Sequence, residues 1–374
     1  MLGGGWRSVA ALFATGAITA AATAQPPAAL PPVSPAANAS PLPPNLSPPP
    51  NLPIRDLTPS QFAAEAPAPS VYPDMPGHLT PSAPEEGGPF ATAELLIMRP
   101  HRGALDFAIP SDATGLVPSG NVASLNYDLQ PGFRGELGHR FGGSGWEAYF
   151  GYTYFHSSAE DCLHAPAGFA VFPTLTKPGL IDTVQSAMAR ANFNYNVYDM
   201  MLAKRFAVDD HLALRMSGGL RFANLSQSFN ADYNGIDANS ATVSANSSFQ
   251  GFGPIFGGEA VWAGWKGFHL YARGNVGLLS GQSSNPLVES NNAGQTIYAN
   301  TAYNIHTVAP LASMAIGGGW QYRRVFVRMG YEITNYWNVV NQPRFVDDVG
   351  VGKLTTRTSN VSLEGLFVQA GLVF

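Results

Sequence analysis

The chain has 374 residues, a formal net charge of -5, only 12% charged residues, 40 glycines and 11% aromatics. There is no basic excess to draw in nucleic acid, so that class of partner is excluded. A mean hydropathy of about zero with so few charges does not suit a soluble enzyme of this length; it suits a chain in which apolar and polar residues alternate.

Residues 1–24 read as a secretory signal. Arg7 supplies the positive charge, residues 9–18 the short apolar run, and Ala22-Thr23-Ala24 the small-x-small cleavage pattern. No lipobox cysteine follows. Residues 25–89 are dominated by Pro and Ala. Proline lacks the backbone donor and favours polyproline II, so this stretch is expected to be a disordered, semi-stiff periplasmic arm. Its plain reading is a spacer, with contact to the cell wall as the alternative. Beyond the signal no apolar run approaches the roughly 18 residues of a helical span.

From residue 90 onward the pattern has period two, and residues 90–374 are expected to form one domain. Ten candidate strands cover 91–99, 132–141, 145–156, 190–206, 211–223, 249–262, 267–280, 305–320, 324–336 and 359–374. The links between them alternate, short at 142–144, 207–210, 263–266 and 321–323, long at 100–131, 157–189, 224–248, 281–304 and 337–358. That rhythm predicts an all-β, antiparallel transmembrane β-barrel with short periplasmic turns and long extracellular loops. Pieces 105–109 and 122–129 could add a hairpin, so twelve strands is the rival count.

Segment 211–223 shows the alternation most clearly. Leu212, Leu214, Met216, Gly218, Leu220 and Phe222 share one face, and His211, Ala213, Arg215, Ser217, Gly219 and Arg221 the other. A soluble sandwich would show the same alternation. Aromatics favour the barrel: Phe141, Trp146, Phe206, Trp262, Trp265, Trp320, Tyr322 and Phe374 sit at the short turns or the C-terminus, and Tyr154, Phe155, Phe193, Tyr195, Phe222, Tyr336 and Trp337 at the long-loop ends. Two such girdles are expected at the two bilayer interfaces. Segment 190–206 breaks the pattern. Asn192, Asn194 and Asn196 suggest a lumen face with which Asp199 is out of phase, so a bulge near Tyr198 is expected. The last strand, apolar at every second position and ending on Phe374, is expected to engage the barrel-assembly machinery.

Several blocks resemble a known family. They are Trp146-Glu-Ala-Tyr-Phe-Gly-Tyr-Thr-Tyr-Phe-His-Ser-Ser158, Tyr195-Asn-Val-Tyr-Asp199, Leu214-Arg-Met-Ser-Gly-Gly-Leu-Arg-Phe222, Phe249-Gln-Gly-Phe-Gly-Pro254, Val308-Ala-Pro-Leu311 and Gly330-Tyr-Glu-Ile-Thr-Asn-Tyr-Trp337. In order and spacing, over about residues 91–374, they resemble the Legionella major outer membrane protein family. The resemblance implies a signal-bearing, pore-forming barrel in the bacterial outer membrane. Disulfide-linked oligomers occur in that family; here Cys162 is the only cysteine, which allows no intramolecular disulfide and no cysteine-rich metal site. The Pro-rich arm is not part of the family's pattern.

On the predicted inward faces lie Arg134, Arg140, Arg215, Arg221, Arg273 and Arg328, with Glu136, Glu147, Glu259 and Glu332. A row of arginines in a narrow channel raises local anion concentration and gives a weak anion preference. Paired as Arg–Glu bridges, the same residues would instead fill and stiffen the lumen. Inward Gly138, Gly151, Gly219, Gly277 and Gly330 are expected to leave room for a narrow passive pore for ions and small solutes.

No enzyme, cofactor or metal site is expected. Asp209-Asp210-His211 falls at a short turn, and Asp161, Cys162 and His164 share one loop without a scaffold. The long loops, rich in Asn, Ser, Thr and Gly at 230–248 and 283–304, suit either surface recognition, as in a structural or adhesive barrel, or plain contact with outer-membrane lipid and lipopolysaccharide.

Overall fold

The computed structural model describes residues 87–112, 117–209, 211–264, 267–322, 324–347 and 352–373. The expected signal, nearly all of the Pro-rich arm, Asp210, Trp265 and Phe374 lie outside the described residues. The strands are β1 (Gly88–Arg102), β2 (Asp106–Pro110), β3 (Ala123–Ser124), β4 (Gln130–Phe141), β5 (Trp146–His164), β6 (Val171–Pro173), β7 (Ser186–Ala207), β8 (Leu212–Gly235), β9 (Ala238–Ala245), β10 (Ser247–Ala263), β11 (Phe268–Asn291), β12 (Thr296–Tyr322), β13 (Val325–Phe345) and β14 (Leu354–Val373).

The wall is a closed antiparallel ring in the order β10-β11-β12-β13-β14-β1-β4-β5-β7-β8, and β8 pairs back onto β10. First and last strands close it, with Phe90 opposite Val373 and Leu96 opposite Phe367. Strands β9 and β10 act as one: Ser244 faces Asn230 and Ser247 faces Gln227 in the same register. They part at Asn246, whose amide donates to the carbonyl of Pro286, because a proline has no amide to return. Ten places therefore make the ring. The rival hairpin does not join it, since β2 pairs with β3 on one side and β6 on the other in a separate three-stranded sheet.

The expected bulge near Tyr198 is absent. Strand β7 pairs with β5 and β8 from Ser186 to its short-turn end without a shift of register. Asp199 faces inward, in phase with buried Phe193, Tyr195 and Val197, and Asn192, Asn194 and Asn196 face outward. The assignment of the asparagines to the lumen is thus corrected, and the reason is that the strands run far beyond the bilayer. Strand β8 has 24 residues, whereas a crossing needs roughly 9–11.

Along β8 the outward apolar run from Leu214 to Phe222 meets lipid, and above it Asn224, Ser226, Ser228 and Asn230 face outward while Leu225, Phe229, Ala231 and Tyr233 are buried inside. The alternation keeps its phase, but the two faces exchange environments at the membrane surface: lipid gives way to water outside, and the lumen becomes an apolar core. Much of the sequence expected as long loops at 224–248, 281–304 and 337–358 is therefore strand. The turns themselves are short, at residues 236–237 and 292–295.

At membrane depth every wall strand presents an exposed apolar residue: Leu95, Leu137, Phe150, Met200, Met216, Phe256, Leu270, Met314, Met329 and Leu366. A continuous apolar belt of this kind has no place in water. The lower girdle stands as expected, with Phe141, Trp146, Phe206, Trp262, Trp320 and Tyr322 all exposed. The upper one is corrected. Phe155, Phe193, Tyr195 and Tyr336 are buried inside the barrel, which leaves Tyr154 and Phe222 exposed outward on β5 and β8 and Trp337 half-buried on β13.

Candidate functional site

The outer half of the lumen is filled by loop segments. Residues 103–112, 117–129 and 165–185, which carry β2, β3 and β6, fold inward and join the wall's core. Leu105, Phe107, Leu125, Tyr127, Val171, Ile181 and Val184 pack in one cluster with Phe155, Phe193, Leu225, Phe229, Tyr233 and Phe249. Polar latches hold this plug. The Tyr233 hydroxyl donates to the Phe107 carbonyl at 2.8 Å, and the Lys177 amide donates to Glu289 at 2.9 Å.

Below the plug the lumen is a lattice of ion pairs. Arg134 on β4 donates to the two oxygens of Glu332 on β13 at 2.7 and 2.8 Å, and to Glu94 on β1 at 2.7 Å. Arg273 on β11 donates to Glu332 at 2.6 Å. Towards the short turns, Glu147 gathers Arg140 at 2.7 Å, Arg215 at 2.8 Å and Arg205 at 2.9 Å. Glu259 takes Arg328 at 2.9 Å and stands 3.9 Å from Arg215. Towards the plug, Arg221 grips Asp199 at 2.7 and 2.8 Å and donates to the Tyr336 hydroxyl, itself hydrogen-bonded to Tyr195 at 2.8 Å. Aromatic faces back the guanidinium groups: Tyr149 under Arg215 at 4.6 Å and Tyr271 under Arg328 at 4.9 Å.

The ten residues placed on the inward faces, Arg134, Glu136, Arg140, Glu147, Arg215, Arg221, Glu259, Arg273, Arg328 and Glu332, surround one chamber inside the ring. Sequence reasoning missed Glu94, Asp199 and Arg205. Glu94 sits beside Leu95 and Leu96, which hides its phase. Asp199 and Arg205 share a face once β7 is read without a bulge. With these included, Arg134, Arg140, Arg205, Arg215, Arg221, Arg273 and Arg328 face Glu94, Glu136, Glu147, Asp199, Glu259 and Glu332, a formal excess of one cation.

The chamber's cavity is about 130 Å³, room for a few waters at roughly 30 Å³ each. Three of the five inward glycines do not widen it as expected, while Gly151 keeps ordinary clearance. The space beside Gly138 is taken by the Phe90 ring, beside Gly219 by Met201 and beside Gly330 by Phe367.

The polar clusters outside the lumen are turn and edge structure. The Asp209 carboxylate accepts the amides of His211 and Leu212, both at 2.7 Å, and these two bonds hold its pKa below the usual carboxylate range. Asp161 accepts the Cys162 amide at 2.8 Å, and Cys162 is exposed.

A closed ring of ten antiparallel strands, apolar outside and charged within at membrane depth, defines an outer-membrane β-barrel. The family described as Legionella pneumophila major outer membrane protein precursor matches residues 83–374. The chain belongs to this family, which places it in the bacterial outer membrane. No curated protein sequence matches it. Among solved structures it is similar to the outer membrane protease OmpT from Escherichia coli, at 11% identity over 77% of this chain and 97% of that one, TM-score 0.46. It is also similar to the Pseudomonas putida toluene transporter TodX, at 9% identity over 77% and 90%, TM-score 0.25. A Pseudomonas aeruginosa FadL homologue is similar at 8% identity over 79% and 95%, TM-score 0.21. Proteolysis and toluene transport belong to those proteins.

Proposed function

We propose that the barrel is a narrow, gated conduit for passive movement of ions and small solutes, with a weak preference for anions and no catalytic chemistry. The observation that carries this reading is the division of the lumen: a charged chamber at membrane depth, capped by an apolar plug built from loops. The plug belongs to segments between wall strands, so it can move without breaking the ring of hydrogen bonds. The excess of one arginine in the chamber supplies the anion preference.

The test is single-channel recording of the wild type beside a variant in which residues 104–126 are replaced by a short Gly-Ser link. The variant is expected to conduct more, with a salt-gradient reversal potential displaced towards anions. Silence from both proteins would end the transport reading.

A second reading, a structural or adhesive barrel, draws on the ion-pair lattice that spans the lumen and on the strands that stand out above the membrane. Loss of cell binding after trimming the turns at 236–237 and 292–295, with conductance unchanged, would favour it. Under either reading the proposed partners are outer-membrane lipid and lipopolysaccharide around the belt, the assembly machinery at the strand ending in Phe374, and the cell wall along the Pro-rich arm.

A further inference from the structure

The outer wall has a window. Strand β1 makes its last wall pair at Arg102, opposite Val361, and β4 enters the wall at Gln130, opposite Met98. On one side β14 continues outward to Leu354, paired there with β13. On the other side β5 continues to His164, paired with β7. No described strand fills the two places between those edges. Three strand spacings put the edges ~14 Å apart. Beside this window, next to β14, β13 bulges between Tyr336 and Val340, with Asn338 at φ 60°. The result is a cleft of about 750 Å³ at the foot of the window, whose lining includes Arg99, Arg102, Tyr127, Asn338, Ser359 and Ser362.

Among the described residues, the cleft's lining carries Arg99, His101 and Arg102 and no carboxylate. Arg99 and His101 share Glu364, at 3.1 and 2.6 Å. Arg357 pairs with Asp106. Arg102 has no such partner: its Nε, Nη1 and Nη2 atoms are closed to solvent and bonded to nothing. The groups near enough to act on it electrostatically are Tyr127 and Arg357, and neither is a carboxylate. The Tyr127 hydroxyl is also buried without a partner. Burial pushes that hydroxyl up to about 12, so it remains a proton donor at neutral pH. A buried guanidinium without a counter-charge is costly, and the cost is relieved by an anion that its planar fork can bind at two points.

We propose that this cleft binds a phosphoryl group, with Arg102 as the charged ligand and Tyr127 as a second donor. The fork of Arg102, the hydroxyl of Tyr127 and the neighbouring Arg357 suit a multiply charged tetrahedral anion better than a single carboxylate. The window opens just above the lipid belt, since outward Ile97 on β1 is followed by outward Arg99. Both a lipid headgroup at the outer surface and free phosphate can therefore reach it. The site lies outside the charged lumen and does not depend on conduction.

The test uses the full chain in detergent. Inorganic phosphate is titrated by calorimetry, and lipid A carried over from doped phosphatidylcholine vesicles is counted by native mass spectrometry. The wild type is expected to bind one equivalent of phosphate, of lipid A, or of both. Phosphate alone assigns a free anion, and lipid A assigns a headgroup. Arg102→Gln is expected to weaken binding at least ten-fold, Arg102→Lys less, and Tyr127→Phe, which keeps the ring against Phe193, two- to five-fold. Arg190→Gln, which removes an exposed pair with Glu160, is expected to bind like the wild type. Tyr127→Phe and Arg102→Lys carry the test should Arg102→Gln fail to fold. No binding by the wild type, or equal binding by folded Arg102 and Tyr127 variants, overturns the proposal.

Discussion

Arg134 and Glu332 come from strands separated in the ring by β1 and β14, 198 residues apart in sequence, and meet through two parallel hydrogen bonds of 2.7 and 2.8 Å. Glu332 also receives Arg273, so one carboxylate ties three parts of the wall together inside the lumen.

That arrangement makes Glu332 the most consequential charge to remove. Glu332→Gln leaves Arg134 and Arg273 short of a buried counter-charge, and breaking such a pair costs about 3–5 kcal/mol. A corresponding drop in urea midpoint is expected for barrel refolded into vesicles. An unchanged midpoint would mean that lumen water replaces the pair.

The exchange of environments along each strand predicts a sharp dependence on height. Met200 faces lipid and Ser226 faces outward above the belt. Met200→Arg is expected to destabilise the inserted barrel by roughly 2–4 kcal/mol. Ser226→Arg is expected to change it by less than about 0.5 kcal/mol. Equal effects in vesicle refolding would contradict the placement of the membrane surface near Phe222.

The plug can be loosened without touching the wall's ladder. Tyr233→Phe removes the bond from β8 to the Phe107 carbonyl, a loss of about 1 kcal/mol or somewhat more because the buried carbonyl loses a donor. Phe107→Ala, at a fully buried site, is expected to cost about 3–5 kcal/mol. Both are expected to raise channel open probability, the second more. Recordings identical to wild type would show that the plug does not gate.

At the short turn between β7 and β8, Asp209 is expected to titrate below an ordinary aspartate because the two amides favour its charged form. Its folded pKa lies below the unfolded value of about 3.9. Its contribution is therefore fully present above that value and is lost as pH falls through the folded one. A ¹³C NMR titration of the Asp209 carboxyl should show the depressed midpoint, and Asp209→Ala should remove protection of the His211 and Leu212 amides. A midpoint at or above the unfolded value would contradict the turn's geometry.

Period-two alternation is a local property of the backbone, so the residues of 211–223 and 324–336 were enough to place their strands and to put Arg215, Arg221, Arg328 and Glu332 on the inner face. The rhythm of short and long links gave ten strands, with twelve left as the rival. The family blocks followed from order and spacing. The same local rule says nothing about which medium lies on either side of a strand. At Asn224, Asn196 and Ser284 the alternation continues with its meaning reversed, and a composition rich in Asn, Ser and Thr reads as loop.

The amino-acid order thus determined the alternating strands and which residues share the inner face at membrane depth, because each depends on neighbours two residues apart, and it left ten strands or twelve open. Only the tertiary structure decided that the ring has ten places and that segments 103–112, 117–129 and 165–185 fold inward to fill the outer lumen. It also decided that Phe155, Phe193 and Tyr336 leave the girdle for the core, and that the arginines meet carboxylates instead of an open channel. These outcomes depend on which residues from distant strands come to share the barrel's interior, and ring closure alone brings them there.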